Sequence, residues 1–301
     1  MPVIEVDKLR KRYGDRVVVD DLSLTVERGE IFGILGPNGA GKTTTVECVE
    51  GVRVADSGTI SVLGLDPRRD RDRLRTRLGV QLQESALPDK LRAGEALELY
   101  ASFYDKPADW RRLADELGLS DKLHTPYKKL SGGQKQRLSI ALALVPDPEI
   151  AVLDELTTGL DPQARRETWQ LIEDVRARGV TVLLVTHFME EAERLCDRIG
   201  VIDSGRLVAL DTPAGLAARV NPEQRIRFRP SVPLDDQLLV GLPEVTGIHR
   251  DGTQITVTGT GNLLHAVTSV LARHQIVAAE LRLEQSSLDD AFVALIGGET
   301  R

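Results

Sequence analysis

Residues 30–51 read EIFGILGPNGAGKTTTVECVEG, and they settle the architecture around them. Glu30–Leu35 is a short apolar run bounded by glycines, the pattern of a strand buried on both faces. Lys42–Gly51 carries helical periodicity. Between them Gly36-Pro37-Asn38-Gly39-Ala40-Gly41-Lys42-Thr43 fits G-x-x-x-x-G-K-[ST]. Glycines let successive backbone N–H groups turn inward around a phosphate, and the helix N-terminus adds its partial positive charge. Lys42 can reach β- and γ-phosphates, and the Thr43 hydroxyl can take one octahedral position on Mg²⁺. A glycine turn that merely precedes a Lys-Thr pair arises by chance in about one chain in a hundred of this length. The strand–loop–helix setting lowers that further, so the stretch reads as a nucleotide phosphate loop.

The flanking sequence extends the pattern. Strands are expected at Pro2–Lys8, Val17–Glu27, Gly58–Val62, Glu149–Asp154 and Val180–Thr186. Helices are expected at Pro162–Arg178 and Met189–Asp197, and Asp66–Leu144 reads as largely helical with breaks at Pro88, Pro107 and Pro126. Buried strands alternating with helices make an α/β fold with a parallel sheet. Ile150–Glu155 (IAVLDE) is an apolar strand ending in two carboxylates. Strand alternation would send them in different directions, Asp154 to orient Mg²⁺ through water and Glu155 to polarise a water attacking the γ-phosphate. Leu130-Ser131-Gly132-Gly133-Gln134 opens another helical stretch and forms a second anion-type turn. His187 ends the strand Val180–Thr186, where its imidazole can reach a phosphate or relay an orientation. Composition shifts near Ala218–Gln224. Beyond it the order is strand Arg225–Arg229, helix Leu234–Leu242, a hairpin around Asp251-Gly252, helix Asn262–His274, strand Ile276–Leu283 and helix Ser287–Ile296. That βαββαβ order resembles a small ferredoxin-like α+β unit.

Composition narrows the class. The chain has 301 residues, 41% apolar and 28% charged, which excludes disorder as the main state. Its 39 basic and 46 acidic residues leave a net charge of −7, so no global basic field exists for nucleic acid. Cys48 and Cys196 have no metal-type spacing and point to a reducing cytoplasm. No apolar run approaches the ~20 residues needed to cross a bilayer, and the charged N-terminus lacks a signal-peptide pattern.

Seven motifs in order resemble the ATP-binding subunit of an ATP-binding cassette (ABC) transporter over about residues 2–215. Tyr13 in KRYGDR resembles the aromatic that stacks on adenine. GPNGAGKTT, that is Gly36, Pro37, Asn38, Gly39, Ala40, Gly41, Lys42, Thr43 and Thr44, resembles Walker A. Gln83 in GVQLQE resembles the Q-loop glutamine, LSGGQ (Leu130–Gln134) the signature, IAVLDE Walker B, Gly159-Leu160-Asp161 the D-loop and His187 the switch histidine. The family usually has proline after Walker B, where this chain has Leu156. DELTTGLDPQARR, THFMEEAERLCDRIGVIDSGRLVALDTP and the tail SLDDAFVALIGG look most like the multidrug and daunorubicin-type exporter branch.

The resemblance implies a P-loop NTPase: a cassette over 1–218, with a parallel-sheet core, an antiparallel β subdomain and a helical subdomain at about 84–145, then an accessory α+β domain over 224–301. It implies ATP and Mg²⁺ as ligands, the metal held by Thr43, Gln83 and Asp154. Glu155, His187, Gln83, Lys42 and Asp161 would carry hydrolysis. Two copies would sandwich ATP, with Ser131, Gly132, Gly133 and Gln134 of one capping the γ-phosphate held by Walker A of the other. The helical subdomain would receive an integral-membrane permease, and the apolar run Ala86–Tyr104 is suitably helical for it. The subunit would then sit on the cytoplasmic face of the membrane and drive export of drugs or other hydrophobic small molecules. Two other functions stay open. One is a soluble ABC ATPase acting on ribosomes or DNA, although such relatives carry two cassettes or long insertions. The other is an importer ATPase.

Overall fold

In the computed structural model, residues 1–81, 87–220, 223–284 and 287–297 are described. They divide into two compact units, Met1–Pro213 and Ala214–Arg301. In chain order the first unit carries β1 (Pro2–Tyr13), β2 (Arg16–Glu27), β3 (Ile31–Leu35), α1 (Lys42–Val49), β4 (Ser57–Val62), α2 (Arg71–Leu74) and β5 (Leu78–Gln81). There follow α3 (Ala93–Ala101), α4 (Trp110–Glu116), α5 (Gly132–Leu144), β6 (Ile150–Asp154), α6 (Pro162–Ala177), β7 (Thr181–Val185), α7 (Met189–Leu195), β8 (Arg198–Asp203) and β9 (Arg206–Asp211). Helix α8 (Pro213–Val220) spans the boundary.

The central sheet has the order β5-β6-β7-β3-β8-β9, parallel except for the β8–β9 pair. IFGIL, IAVLD and TVLLV are buried along their whole length, as apolar runs covered on both faces must be. Because β3, β7 and β6 are neighbours and parallel, the segments that follow them emerge side by side at one sheet edge. Loops at that edge are where open α/β sheets hold ligands. A second, antiparallel sheet has the order β2-β1-β4. Its alternating buried residues, such as Ile4, Val6, Leu22 and Leu24, share one core with Val46 and Val49 of α1 and with Phe32, Ile34 and Val152.

Three local readings change. The stretch Asp66–Leu144 is not largely helical: β5 lies in it as a parallel edge strand, and its four residues are too short for periodicity to register. The run Ala86–Tyr104 becomes helical only at Ala93, where Glu95 folds back to accept the Arg92 N–H at 2.9 Å; Ala86 lies outside the described residues. The β8–β9 hairpin was not anticipated. Its turn, Ser204 at φ +47° and Gly205 at φ +82°, has the two positive φ values that match strand twist.

In the second unit, β10 (Gln224–Pro230), α9 (Gln237–Val240), β11 (Val245–Asp251), β12 (Gln254–Gly259), α10 (Leu263–Arg273) and β13 (Ala278–Glu284) precede α11 (Leu288–Gly297). The sheet order β11-β12-β10-β13, antiparallel throughout, is the ferredoxin-like arrangement that the βαββαβ order leads one to expect. Ile226, Phe228, Ile255 and Val257 meet Leu239, Leu263, Val267 and Leu271 in a core of their own. The hairpin turn is Gly252-Thr253, one residue later than Asp251-Gly252, since Asp251 still pairs with Gln254.

Candidate active site

The loop between β3 and α1 is shaped by two glycines. A Cβ on Gly36 would lie 2.2 Å from the Ile202 carbonyl oxygen, and one on Gly41, at φ +101°, 2.6 Å from that of Val18. No other residue fits either place. Lys42 is the first residue of α1 and nearly buried. Its ammonium donates to the Gly36 carbonyl at 2.7 Å and the Pro37 carbonyl at 3.1 Å, so the loop is wrapped around it. Burial draws its pKa down, while the charges of Glu155 and Asp154 push it back up. An open cleft of ≈ 320 Å³ is lined by Tyr13, Asn38, Gly39, Gly41, Lys42, Thr43, Thr44, Asp154 and Glu155, with Arg16 and Val18. Pro37 and Ala40 line an adjoining hollow with Asp203 and Ser204.

Strand β6 ends at Asp154, and the two carboxylates part there for a reason other than strand alternation. Glu155 has a left-handed backbone, φ +48°, and its N–H donates to the Val185 carbonyl at 2.9 Å. That turn aims its side chain at His187, whose Nδ1 lies 3.2 Å from Oε1. The His187 ring packs against Phe188 with centroids 4.1 Å apart. Asp154 stays buried, and its Oδ1 has no hydrogen-bond partner. Burial, helped by Glu155 and opposed by Lys42, lifts its pKa to about 6. Its backbone N–H donates to the buried Gln81 side chain at 3.1 Å.

Tyr13, which lines the cleft, stands at the end of β1, 41% exposed, with the Arg53 guanidinium 5.1 Å from its ring centroid. Other expected residues lie outside that cleft. Ser131 caps α5 in a reciprocal pair: its hydroxyl accepts the Gln134 N–H at 3.3 Å, and the Gln134 side chain accepts the Ser131 N–H at 3.0 Å. Gly132 and Gly133 follow in the first turn and face Leu160 and Ala164; none of the four lines the phosphate cleft of its own chain. Asp161 caps α6, accepting the N–H groups of Gln163 and Ala164 at 3.0 and 2.9 Å. Gln83 lies outside the described residues.

Residues 19–158 match the family described as ABC transporter. Nod factor export ATP-binding protein I of Ralstonia nicotianae is 37% identical over 306 residues, spanning 100% of this chain and 95% of its own. Daunorubicin resistance ATP-binding protein DrrA3 of Streptomyces coeruleorubidus is 37% identical over 308 residues, spanning 99% of this chain and 97% of its own. Among solved structures, an ATP-binding subunit of an ABC transporter superposes with a TM-score of 0.66 at 30% identity, over 72% of this chain and 92% of that one. A cassette solved as a dimer in a post-hydrolysis state with ADP and phosphate superposes with a TM-score of 0.62 at 26% identity, over 69% of this chain and 98% of that one.

The chain belongs to the ABC transporter ATP-binding subunits. It is therefore a nucleotide-binding ATPase. In this cassette Leu156 stands where the family usually has proline. The leucine side chain is fully buried, and the bend is made by Glu155 and by Gly159 at φ +76°. Sequence reasoning missed Gln81, which supports Walker B from the neighbouring strand. Only the β5–β6 register, Gln81 beside Leu153, exposes that role. It also missed Arg53, whose place beside Tyr13 depends on a fold between distant segments. No helix among the described residues is long and apolar enough to cross a membrane.

Proposed function

We propose that this subunit couples ATP hydrolysis to export through a separately encoded membrane permease, working as a dimer that closes on ATP. The observation that carries the reading is the Glu155–His187 contact of 3.2 Å at the mouth of the cleft that holds Lys42. Glu155 polarises the attacking water, and His187 holds the carboxylate in place. Lys42 exchanges the Gly36 and Pro37 carbonyls for phosphate oxygens when nucleotide enters. Tyr13, 41% exposed and flanked by the Arg53 and Lys11 cations, supplies the aromatic surface for adenine.

Hard oxygen donors suit Mg²⁺, which takes one or two protein ligands beside substrate phosphates. The buried, unpartnered Asp154 Oδ1 and the Thr43 hydroxyl in the same cleft fit that need. Asp154 and Thr43 would hold the ion, with Gln83 assigned by resemblance. When bound, the ion neutralises charge developing on the β- and γ-phosphate oxygens.

Ser131 and the first-turn residues of α5 do not line the chain's own cleft, which supports assigning their anion site to the nucleotide of a second copy. Leu99 and Phe103, 46% and 60% exposed on and just after α3, supply an apolar face for a permease segment. Two near-full-length relatives are named for Nod factor export and daunorubicin resistance, which favours export of a drug or other hydrophobic small molecule. The subunit would then sit at the cytoplasmic membrane face, held there by the permease.

Glu155→Gln tests the chemistry. Turnover should fall by roughly 100-fold or more, the share typical of a positioned base, with ATP binding retained. Near-normal turnover would remove Glu155 from the mechanism. Detergent extraction of the tagged subunit from native membranes tests the coupling: a polytopic protein should co-purify, and ribosomes in its place would refute the transport reading.

A further inference from the structure

Arg16 is an exposed cation on the wall of the phosphate cleft, which it lines together with Lys42, Thr43, Asp154 and Glu155. It also lines the adjoining hollow of ≈ 280 Å³, beside Asn38 and Gly39 of the phosphate loop. Its place follows from the hairpin that joins β1 to β2. Gly14, at φ +57°, and Asp15 make the turn, and Tyr13 and Arg16 are paired across it. Residues paired across antiparallel strands stand side by side on one face. The hairpin therefore brings an aromatic ring and a guanidinium to the same cleft together.

Its partners set Arg16 apart from the other cations near Tyr13. Lys11 is paired with Asp56 at 2.9 Å, and Arg53 with Glu47 at 2.5 Å. Arg16 makes no ion pair and no side-chain hydrogen bond among the described residues, although Asp203 lines the hollow with it. Of the charged side chains in the cleft, Asp154 and Glu155 oppose Lys42, so without Arg16 the lining is net negative. A triphosphate is itself an anion, and a lining of that sign repels it. Arg16 removes the excess, and its planar fork of donors suits phosphate oxygens. We propose that Arg16 is a nucleotide-binding residue, holding the phosphate chain of ATP from the β1–β2 hairpin as Lys42 does from the loop. The hairpin then grips the nucleotide at two points, the base at Tyr13 and the phosphates at Arg16. The inference rests on the reading of this cleft as the ATP site.

Equilibrium titration of the full-length protein with Mg²⁺ and a non-hydrolysable ATP analogue tests it. Arg16→Gln should raise Kd about tenfold at low salt, the lower range for a hydrogen bond to a charged group, because the position is open to solvent. Arg16→Lys keeps the charge without the fork and should hold the rise to about threefold. Raising salt from about 50 to about 500 mM should shrink the gap between wild type and Arg16→Gln to about threefold or less. Tm without nucleotide should move by less than about 2 °C, as for an exposed, unpaired side chain. In a Tyr13→Ala background, Arg16→Gln should raise Kd by the same factor to within about twofold, because base and phosphates are held separately. Unchanged Kd in Arg16→Gln overturns the inference. So does a loss that Arg16→Lys does not relieve or that salt leaves untouched, and one that vanishes with Tyr13→Ala would make Arg16 a support for the ring alone. Lys42→Ala run alongside separates the two layers: if it binds the analogue as tightly as wild type, the reading of the cleft falls and takes this inference with it. If it binds weakly while Arg16→Gln binds normally, only the role of Arg16 fails.

Discussion

At the scale of single residues, the site is a balance of buried charges. Asp154 titrates at about 6, because burial and the neighbouring Glu155 outweigh the pull of Lys42. A divalent cation needs the carboxylate, so affinity for Mg²⁺·ATP should fall as pH drops through about 6. Calorimetric titration between roughly pH 5 and 8 checks this, and a flat profile over the range expected for this carboxylate would contradict it. Glu50, at the end of α1, is pushed further, to about 8, first by burial and then by Asp154 and Glu47. The folded chain thus holds a proton there that the unfolded chain releases at its ordinary value near 4.5. Protein stability contributed by this group is present below about 4.5 and is lost as pH rises toward about 8. Glu50→Gln should therefore gain Tm over wild type as pH rises, by a few degrees at pH 8, and show little difference at pH 4. Thermal melts of both proteins across that range decide it. The phosphate loop, Asp154, Glu155 and His187 were legible because their spacing around apolar runs is itself the signal. Arg16 was not: in KRYGDR it looks like its neighbours Lys11 and Arg12, and only the hairpin register, which sets it beside Tyr13 at the cleft, tells it apart.

At the scale of elements, the fully buried strands announced themselves, and the mixed ones did not. IFGIL, IAVLD and TVLLV are runs of apolar residues that a two-sided cover demands. LGVQ is too short and too polar at its end to stand out, although its Gln81 anchors Walker B. The arginine-rich stretch Arg68–Arg77 carries the short helix α2, with its arginines in local pairs such as Arg73–Asp70 and Arg69–Asp66. The N-terminus of α5 offers a prediction of its own. Ser131→Ala removes the capping hydroxyl and should cost about 1 kcal/mol of stability. If this turn also caps the nucleotide of a second copy, turnover should fall well beyond what that modest destabilisation explains. Melting and ATPase assays on the same preparation separate the two effects; a rate that follows stability alone would leave α5 a purely structural helix.

At the scale of the whole molecule, each of the two units holds a core of its own among the described residues. A fragment of residues 1–220 should melt cooperatively and bind ATP within about threefold of the full chain, since every residue lining the phosphate cleft belongs to the first unit. Loss of binding in that fragment would show that the first unit depends on the second. In the proposed assembly the pore belongs to another chain, and this one supplies the ATPase. The dimer is the claim on which that assembly turns, because the chain carries a phosphate cleft and an anion-type turn that does not line it. The mass of Glu155→Gln in solution, measured by light scattering with and without Mg²⁺·ATP, tests it most directly. The account predicts one chain per particle without nucleotide and two with it, and a second substitution, Ser131→Arg, should return the particle to one. A particle that stays at one chain under saturating ATP would contradict the shared site.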